Sequence, residues 1–294
     1  MIRPRHILHP ICSAKSLYRR ASICVYRRLA ERRFRNIRRG QRDRCWCGGQ
    51  LLPFKWHPSY GVCAECGCYV NTRPPLRDEF KKIYSKECYW GIVSRLRGWP
   101  TLQHRGALYR ADGRLDHWLG LIERYGPPQG SVIEIGCAPG VLLAELQRRG
   151  YRCIGVEAET KVAQWMRSNV NLDVRVAIFP DPELSLPNCD LFLAFDVLEH
   201  VPCPEEFMRQ AACLLNPGGI AVIQTPIDRY DYQPPLGKDV PVVFDDTEHL
   251  FILVDRAMQE LGARTGLQVV SLNEKPWHIG HELCVYKKPD GRMQ

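Results

Sequence analysis

The residues of this chain best suited to chemistry fall into three groups. The first is Cys45-x-Cys47-Gly-Gly and Cys63-x-x-Cys66-Gly, with fifteen residues between the pairs. Two cysteine pairs in tight turns, joined by a short hairpin, supply the four thiolates of a tetrahedral structural zinc site, and Cys68 or His57 is placed to replace one of them. A closed four-thiolate site has no open position, so it carries no catalysis. The second group is the loop Glu134-Ile-Gly136-Cys137-Ala-Pro-Gly140, with Glu157 seventeen residues beyond it. The third is Asp196, Glu199 and His200 at spacing i, i+3, i+4, on one face of a helical turn, with His249 downstream. An imidazole there, His200 or His249, can act as general base toward a bound hydroxyl. The same carboxylates and imidazoles could instead chelate a hard divalent cation such as Mg2+. A third reading is that Glu199-His200 caps the helix and frames a pocket without chemistry.

These groups need elements to hold them in place. From Ser131 onward, short apolar runs (131–135, 152–157, 173–177, 190–195, 220–225, 267–272, 282–287) alternate with helical stretches near 139–149, 159–169, 203–215 and 248–264. Continuous apolar strands alternating with helices predict an α/β fold, a mostly parallel sheet covered on both faces. The loop then lies at the turn after the first strand, where Gly136 and Gly140 let backbone approach a ligand and Pro139 suits a first helical turn. Glu157 ends the second strand, where a carboxylate accepts both hydroxyls of an adenosine ribose. The loop is G-x-x-x-G with an acid two residues ahead, not the G-x-G-x-x-G of dinucleotide sites, and no phosphate-binding Lys-Ser/Thr pair follows. It is shaped for a cationic, phosphate-free ligand, with Glu134 suited to an ammonium group.

The stretches 133-IEIGCAPG-140, 155-GVE-157, 190-DLFLAFDVLEHV-201 and 214-LLNPGGIAVIQTP-226 resemble, in order and spacing, the class I S-adenosylmethionine-dependent methyltransferases. The nearest branch holds ubiquinone-biosynthesis O-methyltransferases and natural-product and glycan-modifying enzymes. The resemblance implies a Rossmann-like seven-stranded sheet whose last strand, 282–287, is antiparallel. It implies a cofactor loop of Glu134, Gly136, Cys137 and Gly140, ribose contacts from Glu157, adenine flanked by Ile178 and Phe179, and Asp196 at the cofactor's edge. The acid-x-x-Glu-His with a later His is similar to metal-dependent superfamily members, which carry Glu where this chain has Asp196.

Organisation follows from composition. Residues 1–44 hold thirteen Arg and one Lys against two acids, so the net charge of +9 comes from this tail and the rest is mildly acidic. Such a tail suits an anionic surface, nucleic acid or a solvated extension, and is similar to an organelle transit peptide. A zinc-ribbon-like module follows at 45–70, then a linker and helical cap at 71–128 rich in aromatic residues, then the methyltransferase domain at 129–294. No apolar run reaches the length of a membrane span. Clustered cysteines without a secretory leader predict a reducing, cytoplasmic setting. The expected activity is methyl transfer to a small-molecule acceptor, a sugar or phenolic hydroxyl. The alternative is RNA, gripped by ribbon and tail as in some rRNA guanine methyltransferases, although the acidic body and the single Lys55 in the ribbon argue against a basic RNA footprint.

Overall fold

The computed structural model describes residues 25–26, 28–55, 57–96, 101–227, 247–274 and 281–291. Most of the Arg-rich tail, residues 1–24, lies outside them. Among the described residues, no helix is long and apolar enough to cross a membrane.

The Cys-rich segment forms three short strands, β1 (Leu51–Pro53), β2 (Tyr60–Cys63) and β3 (Tyr69–Asn71), paired antiparallel in sequence order. The cap segment, expected to be helical throughout 76–128, is broken into single turns at Phe80–Ile83 and Tyr89–Val93 before two helices, α1 (Leu102–Ala111) and α2 (Arg114–Tyr125). Thr101 caps α1 by accepting the His104 amide at 3.1 Å. Helix α2 buries Leu115, Trp118, Leu119 and Ile122, an i, i+3, i+4, i+7 stripe that faces the main sheet.

The main sheet comprises β4 (Ser131–Ile135), β5 (Arg152–Glu157), β6 (Asp173–Val176), β7 (Cys189–Phe195), β8 (Leu215–Pro226), β10 (Gln268–Glu274) and β11 (His281–Lys287). The strand β9 (Phe251–Ile252) lies elsewhere. The order is β10-β11-β8-β7-β4-β5-β6, parallel from β8 to β6, with β11 antiparallel to β8. Between the strands run α3 (Val141–Arg148), α4 (Thr160–Val170), α5 (Pro204–Leu214) and α6 (Asp255–Thr265). This is the seven-stranded α/β architecture expected from the apolar runs. The strand period of two sends Ile133, Ile135, Phe192 and Ala194 into one core, and Val132, Leu191, Leu193 and Phe195 into the other. The first core is continuous with Cys45, Cys63, Cys66, Cys68 and Val70 of the Cys-rich strands.

One element departs from expectation. The stretch 248–264 becomes helical only at Asp255, because Phe251 and Ile252 form β9 and extend the Cys-rich sheet, opposite Val70 and Tyr69 of β3. Ladder partners supplied from about 180 residues earlier outweigh the local helical pattern.

Candidate functional site

The carboxyl edge of the sheet and the cap segment enclose a cavity of about 500 Å³. Open α/β sheets bind ligands at this edge. Glu157, Ile178, Phe179, Asp196, His200 and His249 all line it, as does Gly136. A smaller recess beside it is lined by Glu134, Gly136, Cys137 and Asp196. The structure thus brings most of the sequence-predicted residues to one place.

Three of them also pack against neighbouring elements. Gly140, at φ 84°, lies outside both linings, and a Cβ there would sit 2.8 Å from Leu172 Cδ1. That glycine serves helix packing. The Cys137 thiol is buried against Gly155, where a Cβ would come within 2.5 Å of it. Phe179 is largely a core residue, its ring 5.8 Å from Phe192 and 5.1 Å from Phe207. By contrast Gly136, at φ 69°, is pressed against Val197, so a side chain is excluded where backbone faces the cavity.

Glu134 has the surroundings that best fit a cationic ligand. It is buried, and its Oε2 has no hydrogen-bond partner. Desolvation pushes its carboxyl up to about 8. An orphaned buried carboxyl in a small recess fits a cationic ammonium group. Arg105 of α1 lines both recess and cavity, half-buried, with its Nε 2.6 Å from Tyr109 Oη and its guanidinium 5.2 Å from the Trp90 ring centroid. It places a cation in the same recess as the Glu134 carboxyl. Sequence reasoning missed Arg105, since nothing in the helical pattern of α1 distinguishes it from the other arginines.

Glu157 is buried and accepts the Glu159 amide at 3.0 Å, and desolvation raises its carboxyl to about 7 despite that bond. Asp196 follows β7 in the left-handed region at φ 57°, a strained conformation for a non-glycine residue. A relay holds it: Trp118 Nε1 donates to Gln224 Oε1 at 3.1 Å, and Gln224 Nε2 donates to Asp196 Oδ1 at 2.8 Å. The sequence reading gave neither Gln224 nor Trp118 this role.

Beyond Asp196 stand Glu199, His200 and His249, whose ligand atoms lie within 4.8 Å of one another. Asp196 is not among this group. Glu199 is fully buried and its Oε2 accepts the Thr225 hydroxyl at 3.0 Å. His200 Nδ1 lies 2.9 Å from the Glu248 carbonyl. A carbonyl only accepts, so Nδ1 carries the proton and Nε2 is the basic nitrogen. That Nε2 lies 3.7 Å from Glu199 Oε1, and the His249 ring is 4.9 Å from that of His200.

In the Cys-rich sheet, Cys45, Cys47, Cys63 and Cys66 also gather their sulfurs within 4.8 Å. Cys45 and Cys66 are 3.6 Å apart and Cys47 and Cys63 3.5 Å. A tetrahedron of zinc–thiolate bonds has sulfur–sulfur edges of about 3.8 Å, so the set fits. Cys68 is buried beside them, while His57 is engaged elsewhere, accepting the Ser59 amide at 3.3 Å.

A sheet of this order, with an acid-headed glycine turn after β4 and a buried acid ending β5, defines a nucleoside-binding α/β domain of the S-adenosylmethionine-dependent class. A family model described as a methyltransferase domain matches residues 108–272, and the chain belongs to that family. It is similar to the ubiquinone biosynthesis O-methyltransferase of Chromobacterium violaceum, 32% identical over 114 residues, 36% of this chain and 49% of that protein. The Xanthomonas campestris protein of the same name is 30% identical over 118 residues, 38% of this chain and 48% of its own length. The chain thus spans about half the length of the curated relatives it matches. Among solved structures, an O-methyltransferase family protein from Burkholderia thailandensis superposes with a TM-score of 0.53 at 18% identity, covering 71% of this chain and 64% of that one, a likeness of fold.

Proposed function

We propose that the protein methylates the hydroxyl of a small phenolic or sugar acceptor, using S-adenosylmethionine as donor and His200 as general base. The observation that carries this reading is one cavity lined by Glu157, Glu199 and His200, adjoined through Arg105, Gly136 and Asp196 by the recess of the orphaned Glu134. When bound, S-adenosylmethionine supplies a methyl carbon activated by a positive sulfur. Glu134 takes its ammonium group, Arg105 its carboxylate and Glu157 its ribose hydroxyls. Tyr84, Tyr89, Trp90 and Phe80 line the rest of the cavity and favour a flat aromatic acceptor. The hydroxyl proton passes to His200 Nε2, where the Glu199 carboxylate stabilises the imidazolium. The acceptor oxygen bonds the methyl carbon as the carbon–sulfur pair returns to sulfur, so charge and atoms balance. The names of the curated relatives support an oxygen acceptor.

A second reading rests on the three converging donors. Two imidazoles and one carboxylate are softer than the oxygen shell Mg2+ takes, so the cation would be of the manganese, iron or zinc type. Labelled methyl transfer to a model catechol and a model glycoside, with and without brief EDTA treatment, tests both. We expect catechol methylation at an EDTA-independent rate. Loss on chelation with the thiolate-bound zinc content unchanged, restored by a divalent cation, favours the second reading, and transfer to neither acceptor contradicts the proposal.

The four cysteines are proposed to hold one structural zinc per chain. Purified protein is expected to release about one equivalent on treatment with a mercurial, and Cys66→Ser is expected to lower both this content and Tm. Protein with four titratable thiols and a Tm indifferent to added zinc would contradict the assignment.

A further inference from the structure

The Cys-rich sheet reaches the proposed base. Strand β9 begins two residues after His249 and is the fourth strand of that sheet. Tyr60, three residues before Cys63, donates its hydroxyl to the His249 carbonyl at 2.9 Å, and Asn71 Nδ2 lies 3.4 Å from the same oxygen. The Asn71 amide bonds the Leu250 carbonyl at 2.9 Å, and the Leu250 amide bonds the Glu199 carbonyl at 2.7 Å. One residue earlier, the Glu248 carbonyl receives His200 Nδ1. Tyr60, Asn71, Glu248 and Leu250 are all buried. The segment Glu248–Leu250 is therefore gripped by the Cys-rich sheet on one side, and on the other it fixes the ring orientation and tautomer of His200.

The sheet that provides this grip is weak by itself. Its strands are two to four residues long, and β1 is largely exposed. Strands this short do not persist without a further tie, and in small modules a metal supplies it. The Cys63 amide also bonds the Cys68 carbonyl at 2.8 Å, so the turn carrying Cys66 is the turn that closes β2 onto β3.

We infer that the four-thiolate site, loaded with a thiophilic divalent cation, is a positioning device for His200. Holding β2 and β3 together keeps Tyr60 and Asn71 on the segment that orients the base, so loss of the cation stops methyl transfer while leaving the cofactor pocket intact. The catalytic half of this inference rests on the reading of His200 as base. The cofactor groups Glu134 and Glu157 belong to β4 and β5 and have no bond to the Cys-rich sheet among those above.

Amide hydrogen exchange on the full chain, before and after stripping the cation with a mercurial and a chelator, tests the linkage without any acceptor. Stripping is expected to remove protection at 248–252 and 198–200. Protection in β4 and β5, and affinity for S-adenosylhomocysteine, should stay within about twofold. Retained protection at 248–252 would overturn the inference. Tyr60→Phe keeps the thiolates and removes one hydroxyl. With a model catechol it is expected to lower kcat, between about fivefold for a lost hydrogen bond and about 100-fold for a displaced base, with zinc content and donor KM unchanged. In a His200→Ala background the same change should cost nothing further, since residues acting through one group are non-additive. A Tyr60→Phe loss that persists at full size in that background overturns the positioning role alone. A His200→Ala enzyme working at the wild-type rate overturns the base reading itself.

Discussion

His200→Ala is expected to lower kcat toward a model catechol by about 10²- to 10⁴-fold, the range a positioned general base contributes. Affinity for S-adenosylhomocysteine should stay within about twofold, because His200 is not part of the recess that holds Glu134. Glu199→Gln should produce a smaller fall in kcat, since it removes the carboxylate that stabilises the imidazolium but leaves the basic nitrogen. A split in which KM for the donor rises while kcat holds would place His200 in binding and not in proton transfer. Stopped-assay rates against pH, with the inhibitor constant of S-adenosylhomocysteine measured alongside, separate the two.

The second large effect concerns Glu134. Desolvation holds its carboxyl near 8 in the cofactor-free protein, so at neutral pH it is mostly protonated. Binding an ammonium group beside it favours the ionised form, and association should expel a proton. Affinity should therefore rise with pH up to about 8. Glu134→Gln is expected to weaken binding of S-adenosylhomocysteine by about 10- to 100-fold, the worth of a charge-assisted hydrogen bond. It should also abolish proton release, measured by calorimetry in buffers of different ionisation enthalpy. Stability carries the same signature with the opposite consequence. The folded chain keeps a proton that the unfolded chain loses above its ordinary value of 4.5, so without cofactor stability falls as pH rises from about 4.5 to 8. Glu157, raised to about 7, adds to that slope over its lower part. The Gln variant should have a flatter profile. Unchanged affinity and proton count in Glu134→Gln would remove it from the cofactor site.

Much of this was legible in the sequence because the signals are local. Strand β7 is apolar on both faces from Leu191 to Phe195, as a buried parallel strand must be, and so stood out as an uninterrupted run. The acid ahead of Gly136 and the acid ending β5 were readable for the same reason: each sits at a fixed offset from a strand end. The four thiolates followed from spacing within one hairpin. What escaped was non-local. Strand β9 is two residues long and exists because β3 offers it an edge, so its apolar pattern merged with that of α6. Arg105 became a candidate only once α1 had been folded over the carboxyl edge. The relay from Trp118 through Gln224 to Asp196 joins three elements whose separation in sequence hides it. Asp196 itself was expected beside Glu199 and His200 on one helical face. Its positive φ and its bond to Gln224 set it in the lining of both the cavity and the smaller recess, and the three-donor group forms without it.

The division of labour is consequently physical. Strands β4 and β5 end in two buried carboxyls at the cavity and its recess, and the Cys-rich sheet, reaching across through β9, steadies the groups proposed to act on the acceptor.

Isothermal calorimetry of the purified full chain with S-adenosylhomocysteine bears most directly on the central claim. The predicted result is a saturable isotherm with one ligand per chain, lost in Glu157→Ala and weakened in Glu134→Gln. No heat with that ligand or with S-adenosylmethionine, together with binding of a nicotinamide dinucleotide, would contradict the account.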